Sequence, residues 1–312
     1  MKSSRFLALA LALLALALMM ALSLTAFAEG DGLIIKDMTG KEVTITKEIK
    51  RIVILQPADC EILYAIGAGD LLVGRGEYCN YPEEVLQVPS VQSGFETNFE
   101  QIIALNPDLV ILTKMGQTED DSKKLEEAGI IAITSDAQSI SDVYTAIDMI
   151  GKITGKTDEA DQLIASMKQS FEDITKKAEG KEGSSVYFEV SPLEYGLWAA
   201  GTGTFMDEIA AMLGLKNAFE DLTGWQSVSE EQVLARDPDY IVTTAMYFGD
   251  GQTPVEEVMG RPNWSDIKAV KNNQVFNADS DAITRPGPRL VDAAEAFYTF
   301  VYESQQEADK AA

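Results

Sequence analysis

The sequence predicts an α/β protein of two similar lobes joined by one long helix. Three observations carry that reading: short apolar runs alternate with helical patterns, one amphipathic stretch is much longer than the rest, and a motif of the first half returns in the second.

The chain opens with Lys2 and Arg5, a Leu/Ala/Met run from Phe6 to Leu24, and Ala26-Phe27-Ala28. A basic start, an apolar stretch and a small-x-small site read as a secretory signal peptide, residues 1–28, cut after Ala28. The apolar run also approaches the roughly 20 residues of a membrane anchor. No cysteine stands at the junction to take a lipid.

Next, Leu33 to Asp37 and Glu42 to Thr46 flank Thr39-Gly40 and predict a small hairpin. Strands are predicted at Arg51–Leu55, Asp108–Leu112, Ile130–Ile133, Val186–Val190 and Tyr240–Val242, whose near-continuous apolarity suits a parallel sheet covered on both faces. Helical patterns such as Glu61–Ile66 and Phe205–Leu213 lie between them, as in α/β layers. From Thr157 to Ala178, Ala160, Leu163, Ile164, Met167, Phe171 and Ile174 recur at helical spacing without Gly or Pro. That is a helix of about 22 residues, roughly 33 Å long, enough to pass from one lobe to the other. The expected organisation is an N-terminal lobe over 29–140, a helical connection over 141–180 and a C-terminal lobe over 181–312.

The repeat pairs Glu100-Gln-Ile-Ile-Ala-Leu-Asn-Pro-Asp108 with Glu231-Gln-Val-Leu-Ala-Arg-Asp-Pro-Asp239, identical at five of nine positions. Asn98 and Ser229 are suitable N-caps, with Gln101 and Gln232 placed for capping boxes, so each glutamate falls in a first helical turn. Pro107 and Pro238 end the two helices. Two copies make a bilobed protein; a solenoid needs more.

With 25 basic against 50 acidic residues and a net charge of −25, nucleic acid and anionic membrane surfaces are poor partners. The absence of histidine removes the usual general base, the common nucleophile pairs and the commonest zinc ligand, and no metal or cofactor is expected. Cys60 and Cys79 are the only thiols. Export and an even count predict a Cys60–Cys79 disulfide, which in the chain-entropy model stabilises by about 3 kcal/mol.

The ordered set Arg51-Ile-Val-Ile-Leu, Glu61-Ile-Leu-Tyr-Ala-Ile-Gly, Glu77-Tyr-Cys-Asn-Tyr-Pro82, the two repeats, Arg261-Pro-Asn-Trp264 and Arg285-Pro-Gly-Pro-Arg289 resembles the class III periplasmic binding proteins for cobalamin and ferric siderophores, from Arg51 to about Tyr298. The resemblance implies two Rossmann-like lobes and a non-enzymatic, monomeric component of an ABC importer. It further implies a ligand in the cleft and docking onto a permease dimer through one acid per lobe, here Glu100 and Glu231. By the same similarity Tyr78, Trp198 and Trp225 match positions that pack on ligand, and Asp281 matches a ligand-contacting acid. Where cobalamin-binding members carry an aromatic before the first repeat, this chain has Gly94 with Phe95 beside it.

Such aromatics suit a large ring-rich ligand, and ordinary packing is the alternative for each. Tyr247 and Phe248 follow a predicted strand and are further candidates for the cleft wall. Arg75 and Arg285, each in a loop after an apolar run, either hold an anionic group by paired hydrogen bonds or neutralise local acids; Asp281 is otherwise a turn residue. The competing functions are an extracytoplasmic enzyme using carboxylates for acid/base work, and a sensor of the same fold. Haem is less favoured because no histidine can ligate its iron, though a tyrosine could.

Overall fold

The computed structural model describes residues 32–94, 96–180 and 183–303; the expected signal peptide and Phe95 lie outside the described residues. The hairpin forms as β1 (Leu33–Lys36) antiparallel to β2 (Glu42–Ile45). Its turn is held by Asp37, whose carboxylate accepts from the amides of Thr39 and Lys41.

The N-terminal lobe contains β3 (Ile52–Ile54), α1 (Pro57–Ala65), β4 (Leu72–Gly76), β5 (Ser90–Val91), α2 (Phe99–Ala104), β6 (Leu109–Thr113), α3 (Glu119–Glu127) and β7 (Ile131–Ser135). Its sheet is wholly parallel in the order β5-β4-β3-β6-β7. Ile52, Val53 and Ile54 are completely buried, as central parallel strands require.

Two helices follow, α4 (Ile140–Thr154) and α5 (Thr157–Ala178). The long helix spans the residues its periodicity predicts, burying Ala160, Met167, Phe171, Ile174 and Ala178. Gly151 lets α4 and α5 cross closely, because a Cβ there would stand 2.5 Å from that of Ala160.

The C-terminal lobe contains β8 (Ser185–Ser191), β9 (Trp198–Ala200), α6 (Phe205–Met212), β10 (Lys216–Asn217), β11 (Trp225–Ser227), α7 (Glu230–Arg236), β12 (Tyr240–Thr243), α8 (Pro254–Met259), α9 (Lys268–Lys271), β13 (Val275–Asn277), α10 (Ser280–Thr284) and α11 (Leu290–Tyr298). The sheet order is β11-β9-β8-β12-β13, with β10 also on β8. β8, β12 and β13 are parallel, while β9 and β11 pair antiparallel. α5 packs on α4 at one side and on α6 and α11 at the other, so it joins the two lobes. Among the described residues no helix is long and apolar enough to cross a membrane.

The repeat is a repeat of structure. α2 and α7 both end in a left-handed residue, Asn106 at φ 47° and Asp237 at φ 46°, a conformation that Asn and Asp tolerate best among non-glycines. Asp108 then accepts from the amides of Lys50 and Arg51 at the start of β3. Asp239 accepts from the amide and hydroxyl of Ser185 at the start of β8. The shared aspartates therefore fasten equivalent strands in the two lobes. The capping differs from expectation in one detail. Ser229 and Gln232 make the full box, whereas the Gln101 side chain accepts from the Gln92 amide and Asn98 alone caps α2.

Candidate functional site

In an open α/β sheet the binding crevice lies beyond the strand C-termini where the strand order reverses. In the N-terminal lobe the chain leaves β3 toward β4 and leaves β6 toward β7, so that point falls between Gln56 and Thr113. In the C-terminal lobe it falls between the ends of β8 and β12, at Val190-Ser191 and Thr244. The two points face each other across one cleft. A hollow of about 680 Å³ lies between Gln56, Thr113, Met115 and Gln138 on one side and Val190, Trp198, Phe205 and Trp225 on the other. A second, of about 430 Å³, runs along Tyr78, Ser93, Gly94 and Arg285 and shares Gln56, Thr113, Met115, Thr284 and Pro286 with the first. A third, of about 870 Å³, extends from Val190 and Thr284 past Tyr195, Met246, Tyr247 and Phe248.

The structure brings Tyr78, Trp198, Trp225 and Arg285 of the sequence candidates to this cleft. Tyr78 is 61% and Trp198 41% exposed, although both are large rings. Trp225 is oriented from both sides: its ring lies 5.2 Å from that of Phe205, and its Nε1 donates to Gln138 Oε1 at 3.0 Å.

The other candidates have different roles. Arg75 belongs to β4, not a loop, and its guanidinium donates to the carbonyls of Val88, Gly76 and Cys79. It braces its own lobe and does not line the cleft. Asp281 accepts from Asn80 Nδ2 at 2.9 Å and pairs with Arg285 at 2.7 Å. Arg285 in turn donates to Asn80 Oδ1 at 2.6 Å and to Glu61 Oε1 and the Tyr78 carbonyl at 3.2 Å each. Arg289 grips the same Glu61 through Nε at 2.9 Å and Nη2 at 2.7 Å, and stands over the Tyr81 ring. Asp281, Arg285 and Arg289 thus form a charged seam between the lobes. Arg285 lines the second hollow and is at the same time paired with Glu61 and Asp281.

The residues missed by sequence reasoning, Gln56, Met115, Asp136, Gln138 and Ser191, all stand within three residues of the end of a predicted or observed strand. Applying the strand-end rule to the predicted strands is the signal that finds them.

Beneath the floor, Asp59 is fully buried in the first turn of α1, with one oxygen accepting from Ser135 Oγ at 3.0 Å and the other unpartnered. Burial raises its pKa to about 7, against the opposing pull of the Ser135 hydroxyl. Below about pH 4 the group is neutral folded and unfolded. As pH climbs to about 7 only the unfolded chain ionises, so stability falls, and above pH 7 the full penalty persists. Asp59→Asn is therefore expected to raise the melting temperature at pH 8, by a few kcal/mol in stability, with the gain vanishing near pH 4; a gain independent of pH contradicts this.

Cys60 and Cys79 are both buried and unbonded to each other, the Cys79 thiol facing the Ile54 carbonyl, and burial, then the nearby Cys79, pushes the Cys60 thiol up.

Glu100 and Glu231 occupy the same step, second in α2 and in α7, and both are exposed. Six residues before each lies a cleft-lining residue, Gly94 and Trp225 respectively. The Ser229 hydroxyl holds the Glu231 carboxyl below the usual range.

Residues 52–282 match the periplasmic binding protein family. The chain is 41% identical over 274 residues to the ABC transporter substrate-binding lipoprotein YvrC of Bacillus subtilis strain 168, covering 86% of this chain and 85% of that one. Among solved structures it resembles the periplasmic vitamin B12-binding protein BtuF of Vibrio cholerae, with a TM-score of 0.69 at 26% identity over 83% of this chain and 98% of that one. It also resembles an ABC-type Fe3+-hydroxamate transport protein of Saccharomonospora viridis, with a TM-score of 0.72 at 26% identity over 87% and 99%. The two-lobed α/β fold, the cleft at paired switch points and these relationships agree: the chain belongs to the periplasmic binding protein family and is a substrate-binding protein of an ABC transporter.

Proposed function

We propose that this protein captures a corrinoid or ferric siderophore between its lobes, without turning it over, and delivers it to a membrane permease dimer that docks on Glu100 and Glu231. In this reading residues 29–140 and 181–312 clamp the ligand, 141–180 connect them, and the protein acts as a monomer outside the cytoplasmic membrane after loss of residues 1–28. The observation that carries it is the cleft itself. It unites both switch points, is large enough for a multi-ring ligand, and presents Trp198, Trp225, Phe205, Tyr78 and Met115 with few polar groups among them.

Tryptophan fluorescence and calorimetry against cyanocobalamin and ferric chelates test the reading. Saturable one-to-one binding without chemical change supports it; turnover favours an enzyme. Trp225→Ala is expected to weaken binding by about 1 to 3 kcal/mol, as for an aromatic anchor. Because Trp225 also holds Gln138, Trp198→Ala is the cleaner companion variant. Unchanged affinity in both, with the fold intact, removes these rings from the site.

We also infer that Cys60 and Cys79 close into a disulfide on export, supported by the even cysteine count and by the proximity of two buried thiols on α1 and the loop after β4. Mass spectrometry of the non-reduced secreted protein is expected to show the bridge; two alkylatable thiols overturn it.

A further inference from the structure

We infer that the ligand carries no net negative charge: the cleft is built for a neutral or cationic molecule of large apolar girth, and against anionic iron chelates and haem. This rests on the reading of the cleft as the capture site.

The first support is the state of the cations. Two basic side chains line the three hollows among the described residues, Lys114 and Arg285. Lys114 is paired with Asp136 at 2.8 Å, and the contact raises its pKa. Arg285 is paired with Asp281 at 2.7 Å and Glu61 at 3.2 Å, and its remaining donors are directed to Asn80 and the Tyr78 carbonyl. Both positive charges are thus already matched by the protein's own carboxylates.

The second support is the backbone. Amides at strand ends and helix N-termini are the other places where such a cleft holds an anion. Here the protein's own carboxylates occupy five such amides on the N-terminal-lobe side, at Ser93, Gly94, Gln138, Ser139 and Ile140. Ser93 and Gly94 donate their amides to Glu77 Oε2 at 3.0 and 2.9 Å. Gln138 and Ser139 donate to Asp142 Oδ2 at 3.1 and 3.0 Å, and Ile140 to Glu208 Oε2 at 2.6 Å.

The third support is the arm of the cleft past Phe248, where Glu194 and Asp250 add two carboxylates with no ion pair among the described residues. An anion entering this cleft meets carboxylates at the wall, at the amide positions and along the arm. That is discrimination by repulsion.

The test compares ferric chelates of similar size by fluorescence titration of the purified mature protein: a neutral trihydroxamate, its monocationic amine-bearing analogue and a trianionic triscatecholate, with cyanocobalamin and haem alongside. The trianionic chelate is expected to bind at least about 100-fold more weakly than the neutral one at low salt. The gap should narrow as salt rises. Asp136→Asn, which releases Lys114, is expected to shrink the ratio about tenfold. A triscatecholate or haem that binds as tightly as the neutral ligands overturns the inference while leaving capture in the cleft standing. Binding by none of the panel contradicts the capture reading itself, and this inference with it.

Discussion

Replacing Glu100 and Glu231 together by lysine is expected to leave ligand binding in solution intact and to reduce transport in reconstituted membranes by at least about 100-fold, since charge pairing guides encounter and fixes register. Each shared residue of the repeat can be asked what it does locally. The prolines end helices, the aspartates fasten β3 and β8, and Gln232 completes a capping box. Glu100 makes no hydrogen bond or ion pair among the described residues, and Glu231 touches only its own helix terminus. A carboxylate in a first helical turn is favourable by about 0.3 to 1 kcal/mol. That explains an acid in each turn, not the same acid at the same step in both lobes. In each lobe the glutamate follows a cleft-lining residue, Gly94 or Trp225, by six positions. Transport at the wild-type rate contradicts docking; lost binding moves the two glutamates into the ligand site.

Glu61→Ala is expected to lower stability by about 2 to 4 kcal/mol, most of what removing one partner of a buried pair takes away. The Glu61 side chain is 3% exposed and receives both Arg285 and Arg289 from the other lobe. Arg285 keeps Asp281 and Arg289 keeps the Tyr81 ring when Glu61 is lost, which moderates the effect. Glu61→Gln retains the shape and part of the hydrogen bonding and should fall between. Urea unfolding of the ligand-free protein measures the difference. Wild-type stability in Glu61→Ala shows that the seam contributes nothing to holding the lobes.

The lobes, the hairpin and the long connecting helix were legible because each is written in periodicity and turn chemistry; Thr157–Ala178 agrees end to end. β4 was not, because Leu-Val-Gly-Arg-Gly reads as a loop. Its glycines answer tertiary crowding: a Cβ at Gly74 would stand 2.4 Å from Leu105 Cδ1, and one at Gly76 2.5 Å from the Leu55 carbonyl. The same misreading made Arg75 a ligand candidate. Within a strand its side chain is turned to neighbouring carbonyls instead.

At the site, the family resemblance pointed to Tyr78, Trp198 and Trp225, which line the cleft, the two tryptophans from the starts of strands β9 and β11. It missed Gln56, Met115 and Gln138, whose place at strand ends matters more than their chemistry. Arg285 was ambiguous for a different reason. Its partner Glu61 lies 224 residues earlier and comes within reach only through the fold.

The most direct test is a crystal structure of the mature protein with the tightest binder from the ligand panel. The ligand is expected in contact with Gln56 and Met115 of one switch point, Val190 and Ser191 of the other, and the Trp198 and Trp225 rings. A ligand held on one lobe alone, or away from both strand-end crevices, contradicts capture between the lobes.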